Sequence, residues 1–170
     1  MNLFRYLLER SDYEAAKPLF LMVLELSSDS KPSMEETHAD VLFALSVLSA
    51  QTNEDINKNL LYAQNHFDRR LELRDGSQFG EDRMALAHGE LAHIQMLAGQ
   101  YEDAIRNARV AINLTEKSPA FLVGDDWPTF SSGHLAFALA AQGRYDEAMI
   151  PLQRSLDYWT SRANDTHSFQ

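Results

Sequence analysis

The sequence predicts an all-α protein, a solenoid of about four stacked helix-turn-helix units, and three observations carry that expectation. A short segment recurs along the chain at a regular interval. The apolar residues that follow each occurrence keep the 3.6-residue period of a helix. Glycine (7) and proline (5) are scarce in 170 residues, too few for the many tight turns of a strand-rich fold.

The recurring segment is Ser11-Asp12-Tyr13-Glu14-Ala15-Ala16, then Gly99-Gln100-Tyr101-Glu102-Asp103-Ala104, then Gly143-Arg144-Tyr145-Asp146-Glu147-Ala148. Each has a small residue two places before a Tyr, acids after the Tyr, and Ala three places after it. Phe20, Ala108 and Leu152 stand seven places on, and Leu24, Ile112 and Leu156 eleven. Offsets of 0, 3, 7 and 11 trace one stripe of a helix. Tyr101 and Tyr145 are 44 residues apart, and Tyr13 and Tyr101 are 88 apart, so one copy belongs between them. Leu60, Ala63, Phe67 and Leu71 supply it, with Leu in place of Tyr and neither the Gly nor the acidic pair.

Each such helix follows another apolar segment. Met34 to Gln51, Glu81 to Ala98 and Pro128 to Gln142 are the first helices of copies two to four; Asn2 to Arg10 is a short partner for copy one. The four units then cover about 1–29, 33–75, 80–117 and 126–163 of a single repeat domain. Gly99 and Gly143 suit the left-handed conformation that ends a helix. Pro128 suits a first turn, and Asp29 to Ser33 form a break. The stretch from Thr52 to Asn59 implies a longer second helix or a longer turn in copy two.

The small residue, Tyr and Ala at the turn resemble the tetratricopeptide repeat family. The interval exceeds that family's usual roughly 34 residues and is similar to its longer subclass, typified by kinesin light chain. Tyr13-Glu14-Ala15-Ala16-Lys17-Pro18-Leu19-Phe20 resembles that subclass's second-helix opening. Pro151 sits one place later in its copy than Pro18 does. The resemblance implies about eight helices in a right-handed superhelix. Gly and Ala would sit where helix backbones approach, with the Tyr ring filling the gap beside them. It also implies a concave groove lined by first helices. Ala85, His88, Ala92 and Gln95 would face it from copy three, and Thr129, Ser132, Ala136 and Leu139 from copy four.

Composition narrows the partners. The formal charge is -10, from 25 acidic and 15 basic residues, which disfavours phosphate backbones and anionic membrane surfaces alike. There is no cysteine for a disulfide or a thiolate metal site. The first ten residues are too short and too charged for a signal peptide. The run from Val41 to Ala50 is about half of the roughly 20 residues a membrane span needs. A soluble cytoplasmic protein is the expectation. Family members that hold the carboxylate tail of chaperones use several cations on these first helices. Met34 to Gln51 and Pro128 to Gln142 have no Lys or Arg, which argues against that ligand.

Other side chains carry weaker signals. Arg69, Arg70 and Arg74 are interleaved with Asp68, Glu72 and Asp75, which reads as a solvated face of local ion pairs. His38, His66, His88, His93, His134 and His167 lack metal spacing; a zinc pair on a helix wants i, i+4. His88 and His134 can meet across adjacent first helices, with Glu90 or Asp126 as a carboxylate partner, but no nucleophile stands beside them. The connection from Ser118 to Pro128 carries Phe121 and Trp127, residues costly to leave in water. Folded back onto the solenoid, or closing one end of the groove with Trp127 as an anchor, it would cover them.

The functional expectation is a non-catalytic protein–protein interaction scaffold, without metal or cofactor, that binds a peptide or helix in the concave groove. One alternative is a small-molecule-binding or catalytic helical repeat using His88, His134 and Asp126. Another is a self-associating segment: the ending Thr166 to Gln170 is not an evident polar cap. An exposed terminal repeat would then form a homo-oligomer or continue into a longer array.

Overall fold

The computed structural model describes residues 13–28, 34–52, 55–117 and 126–167, with the backbone alone at 13–15, 28, 126–128 and 163–167. Seven helices and no strand occur among them. They are α1 (Tyr13–Ser28), α2 (Glu35–Gln51), α3 (Ile56–Glu72), α4 (Gln78–Leu97), α5 (Tyr101–Glu116), α6 (Asp126–Ala141) and α7 (Tyr145–His167). The expected partner helix from Asn2 to Arg10 and the connection 118–125 lie outside the described residues. No described helix is long and apolar enough to cross a membrane.

Burial separates two kinds of helix. On α3 the buried residues Asn59, Tyr62, Ala63, His66 and Arg70 form one stripe. On α5 Ala104, Ile105, Ala108, Ala111 and Thr115 do the same. By contrast, α2 buries Ala39, Val41, Leu42, Ala44, Leu45, Ser46, Leu48 and Ser49, which go round most of its circumference. A helix covered on most sides has to be apolar or small on most sides, which is the composition of the first helices.

The chain divides into two compact units, Met1–Gly80 and Glu81–Gln170. In the first, α1 packs on α2 and α2 on α3. Its core joins Ala16 and Phe20 to Val41, Leu42, Ala44, Leu45, Leu48 and Tyr62. Glu35 and Glu36 in the first turn of α2 sit at the positive end of its dipole. Asp55 caps α3 by accepting a hydrogen bond from the Asn57 amide at 3.0 Å. In copy two the helix begins at Ile56, four residues before Leu60, and at 17 residues it is about as long as α1 and α5, with 16 each.

In the second unit α5 packs on α6 and α6 on α7. One cluster holds Ala92 from α4, Ala104, Ile105 and Ala108 from α5, Leu135, Ala138 and Leu139 from α6, and Ala148 from α7. The two turns are built alike. Gly99 has φ 75° and Gly143 φ 74°. The Gln100 amide bonds back to the Gln95 carbonyl at 2.8 Å and Gly99 to Met96 at 3.1 Å. Arg144 to Leu139 at 3.0 Å and Gly143 to Ala140 at 2.9 Å repeat the pair. Each is a Schellman ending, and the left-handed residue in it favours glycine. Pro18 and Pro151 both lie inside continuous helices.

Candidate interaction surface

The residues expected along a groove are largely covered. Ala85, Ala92, Gln95, Thr129, Ser132, Ala136 and Leu139 are all buried, and Ala92 and Leu139 belong to the core cluster. His88 is half-buried. Its Nδ1 lies 2.8 Å from Oδ1 of Asn107, whose amide nitrogen donates to Oε1 of Gln95 at 2.8 Å. An amide oxygen only accepts, so His88 is the donor through Nδ1. His88 and Gln95, two turns apart on α4, are thus tied to α5 through Asn107. Asn107 belongs to no motif in the sequence. The seven-residue spacing of His88 and Gln95 was the signal for a common partner.

The second expected constellation is only partly described, since Asp126 and Trp127 are given by backbone alone. The ring set against His134 is that of His93, stacked at 4.5 Å with 3° between planes. Burial lowers the pKa of His93. Burial, and then the neighbouring His93, lowers that of His134 to about 3. Both rings are therefore neutral near pH 7, and a base so weak removes protons poorly there. Nδ1 of His134 and Oγ of Ser131, one turn earlier, are buried without a hydrogen-bond partner.

In the first compact unit an open cleft of about 330 Å³ is lined by Ser27, His38, Leu42, Asn65, Asp68 and Arg69, among others. Ser27 Oγ donates to the Leu24 carbonyl at 3.0 Å and lies 3.0 Å from Nδ1 of His38. With its hydroxyl bonded to the Leu24 carbonyl, Ser27 is placed to accept from His38 when the imidazole carries its proton on Nδ1. In that tautomer the pair is the reverse of nucleophile activation, in which the imidazole takes the hydroxyl proton. Burial, then Arg69, lowers the His38 pKa.

The arginine cluster departs from the solvated face of local pairs that the sequence suggests. Arg70 is buried, and its guanidinium bonds Glu36 and Asp40, both on α2. Its Nε donates to Nε2 of His66 at 3.3 Å. The reason is position: Arg70 continues the buried stripe of α3, against which the first turns of α2 pack. Arg69 keeps a local pair with Glu72 at 2.6 Å and adds Glu35 at 3.5 Å. Asp68 accepts from Gln64, and Asp75 from Ser77. Among the described residues no group of three or more His, Asp or Glu is placed to hold a metal ion.

Among the described residues of the second unit, most of the exposed large apolar side chains are on its last hairpin. Along α7, Tyr145 is 67% exposed, Met149 58%, Leu152 42%, Leu156 51% and Trp159 41%. At 100° per residue they share one face, within about 80° of arc. Phe130 and Phe137 are exposed on α6, and Phe130 meets the Trp159 ring edge-on at 5.4 Å. The exposed position of Tyr145 corrects the expectation that the motif Tyr fills a gap in every copy. Tyr101 packs against the core cluster, whereas Tyr145 does not. No protein-family model matches this chain, and no curated protein matches it.

Proposed function

We propose that this chain is a non-catalytic helical-repeat module of the tetratricopeptide kind that holds a protein partner on the open face of the α6–α7 hairpin. The observation that carries the reading is the run of Tyr145, Met149, Leu152, Leu156 and Trp159, continued by Phe130 and Phe137. Contiguous aromatic and branched side chains on a folded domain mark sites that a partner covers. The repeat class rests on the recurring Tyr–Ala stripe, the paired Schellman turns and the alternation of enclosed and one-sided helices. The non-catalytic part rests on the imidazoles: the serine beside His38 is already bonded to the Leu24 carbonyl, His88 is held by Asn107, and His134 is a very weak base.

Selection of a displayed random peptide library against the purified chain tests the reading. Selected peptides should be helical when bound and should lose at least roughly tenfold in affinity on Phe137→Ser or Leu156→Ser. Binders indifferent to both substitutions would place the site elsewhere. Turnover of a small molecule that disappears in His88→Ala would overturn the non-catalytic reading.

A further inference from the structure

The second compact unit contains its own example of how this stripe is covered. On α5 the motif positions Tyr101, Ala104, Ala108 and Ile112 lie in or against the core cluster. Ala92 of α4 shares the cluster, and on the following side the cover is α6, which contributes Leu135, Ala138 and Leu139. Three alanines in that cluster, Ala104, Ala108 and Ala138, let the helices approach closely, with Leu135 and Leu139 beside them. The same offsets on α7 give Tyr145, Ala148, Leu152 and Leu156, of which only Ala148 is buried. The shape that fits this face is therefore a helix with small and branched apolar residues on one side.

Charge specifies the rest of that helix. Counted from Tyr145, Asp146 and Asp157 fall about 100–120° round α7, along one border of the exposed stripe. The three arginines of the hairpin are engaged elsewhere. Arg144 bonds Glu147 at 2.7 Å and pairs with Glu102 at 3.5 Å. Arg154 reaches Glu116 on α5 at 2.5 Å, and Arg162 lies 5.7 Å from the Tyr158 ring centre. Asp157 accepts a hydrogen bond from the neutral Gln153 amide at 2.7 Å. There is no Lys or Arg on α6, and the whole chain carries -10.

We infer that the α6–α7 face takes an amphipathic helix from a partner protein, alanine- and leucine-rich towards α7, with lysines or arginines along the border that passes Asp146 and Asp157. This rests on the docking reading above and adds the partner's chemistry to it. The apolar contact supplies most of the affinity; the charges set preference and speed of association.

The experiment uses the full chain and three synthetic helical peptides with one shared Leu/Ala stripe, flanked by lysine, glutamine or glutamate. Fluorescence anisotropy should rank affinity lysine, glutamine, glutamate, spanning roughly tenfold or more at low salt and contracting at 1 M salt. Asp146→Asn with Asp157→Asn should lower lysine-peptide affinity and leave the glutamine peptide unchanged. Equal affinity for all three overturns the charge inference but leaves the docking face standing. Absence of binding by any of them overturns both. Lysine-peptide binding that survives Leu156→Ser and Phe137→Ser is unspecific adsorption and overturns the inference. So does sedimentation showing a dimer at micromolar concentration that Leu156→Ser dissociates, since a second copy then occupies the face. Both serine substitutions are at exposed positions, and circular dichroism checks that the fold is kept.

Discussion

Helices α5 and α7 begin after the same glycine turn, carry the same Tyr–Ala opening and repeat apolar residues at the same offsets. Their fates differ. The stripe of α5 lies under α6, with Ala104 and Ala108 almost fully buried, while that of α7 shows Tyr145, Leu152 and Leu156 to solvent. Identical local chemistry has produced a piece of core in one place and an open surface in the other. Spacing tells a helix which face to turn inward; only the neighbouring helix decides whether that face becomes core.

The sharpest way to break the comparison is to weaken the cover. Leu139 is 1% exposed on α6, within the cluster that closes over α5. Leu139→Ala should cost about 2–5 kcal/mol in urea unfolding, from lost transfer energy and the cavity left behind. A loss below about 1 kcal/mol would mean that α6 does not seal α5 as described.

The next effect reads the same cover through pH. His134 on α6 stacks on His93 of α4, and its pKa falls from 6.5 to about 3. A folded pKa below the unfolded value means that the unfolded chain takes up a proton the native chain refuses. The stability this ring contributes is present above about pH 6.5 and is lost progressively as pH falls towards 3. Between pH 7 and pH 5 the loss is about 2 kcal/mol from this group. His134→Phe should shrink the difference between urea unfolding free energies at those two pH values by about that amount. An unchanged difference would show that the ring is not buried neutral.

The helical periods were legible along the chain because they depend on neighbours three and four places away. Met34 to Gln51 became Glu35–Gln51, and Pro128 to Gln142 became Asp126–Ala141. Gly99 and Gly143 end their helices as read, since a left-handed residue has few alternatives. What the sequence hid depends on distant partners. Arg70 sat among nearby acids, yet its partners Glu36 and Asp40 lie 34 and 30 residues back. The helix order suggests His88 as the neighbour of His134, while the ring beside it is His93, and no local pattern marks Asn107 as the partner of His88. The candidate surface was hidden for the same reason: Tyr101 and Tyr145 look alike until their neighbours are known.

A smaller effect asks whether the two turns are equivalent. An added Cβ at Gly99 or Gly143 meets nothing within 4 Å, so alanine there costs only the left-handed backbone, about 1–2 kcal/mol. Gly99→Ala and Gly143→Ala should therefore destabilise alike in parallel denaturation curves. A difference above about 1 kcal/mol would show that cover by α6 also stiffens the first turn, and the turns would cease to be equivalent.

The smallest effect falls on the open stripe, and its size is the point. Leu156 stands eleven places after Tyr145, as Ile112 does after Tyr101, but it is 51% exposed. Half its surface is already in water, so truncation removes few contacts. Leu156→Ala should change unfolding free energy by no more than about 0.5 kcal/mol, with alanine's better helix propensity offsetting part of the lost packing. Ile112→Ala, at the matching covered position, should cost more, about 2 kcal/mol. Solubility should move the other way: Leu156→Ala removes apolar surface that drives association, whereas Ile112→Ala exposes core when the helix loosens. Equal destabilisation by the two would mean that α7 is covered in solution, and the first thing to measure would then be the concentration dependence of the melting temperature, which rises with concentration only if another chain provides the cover.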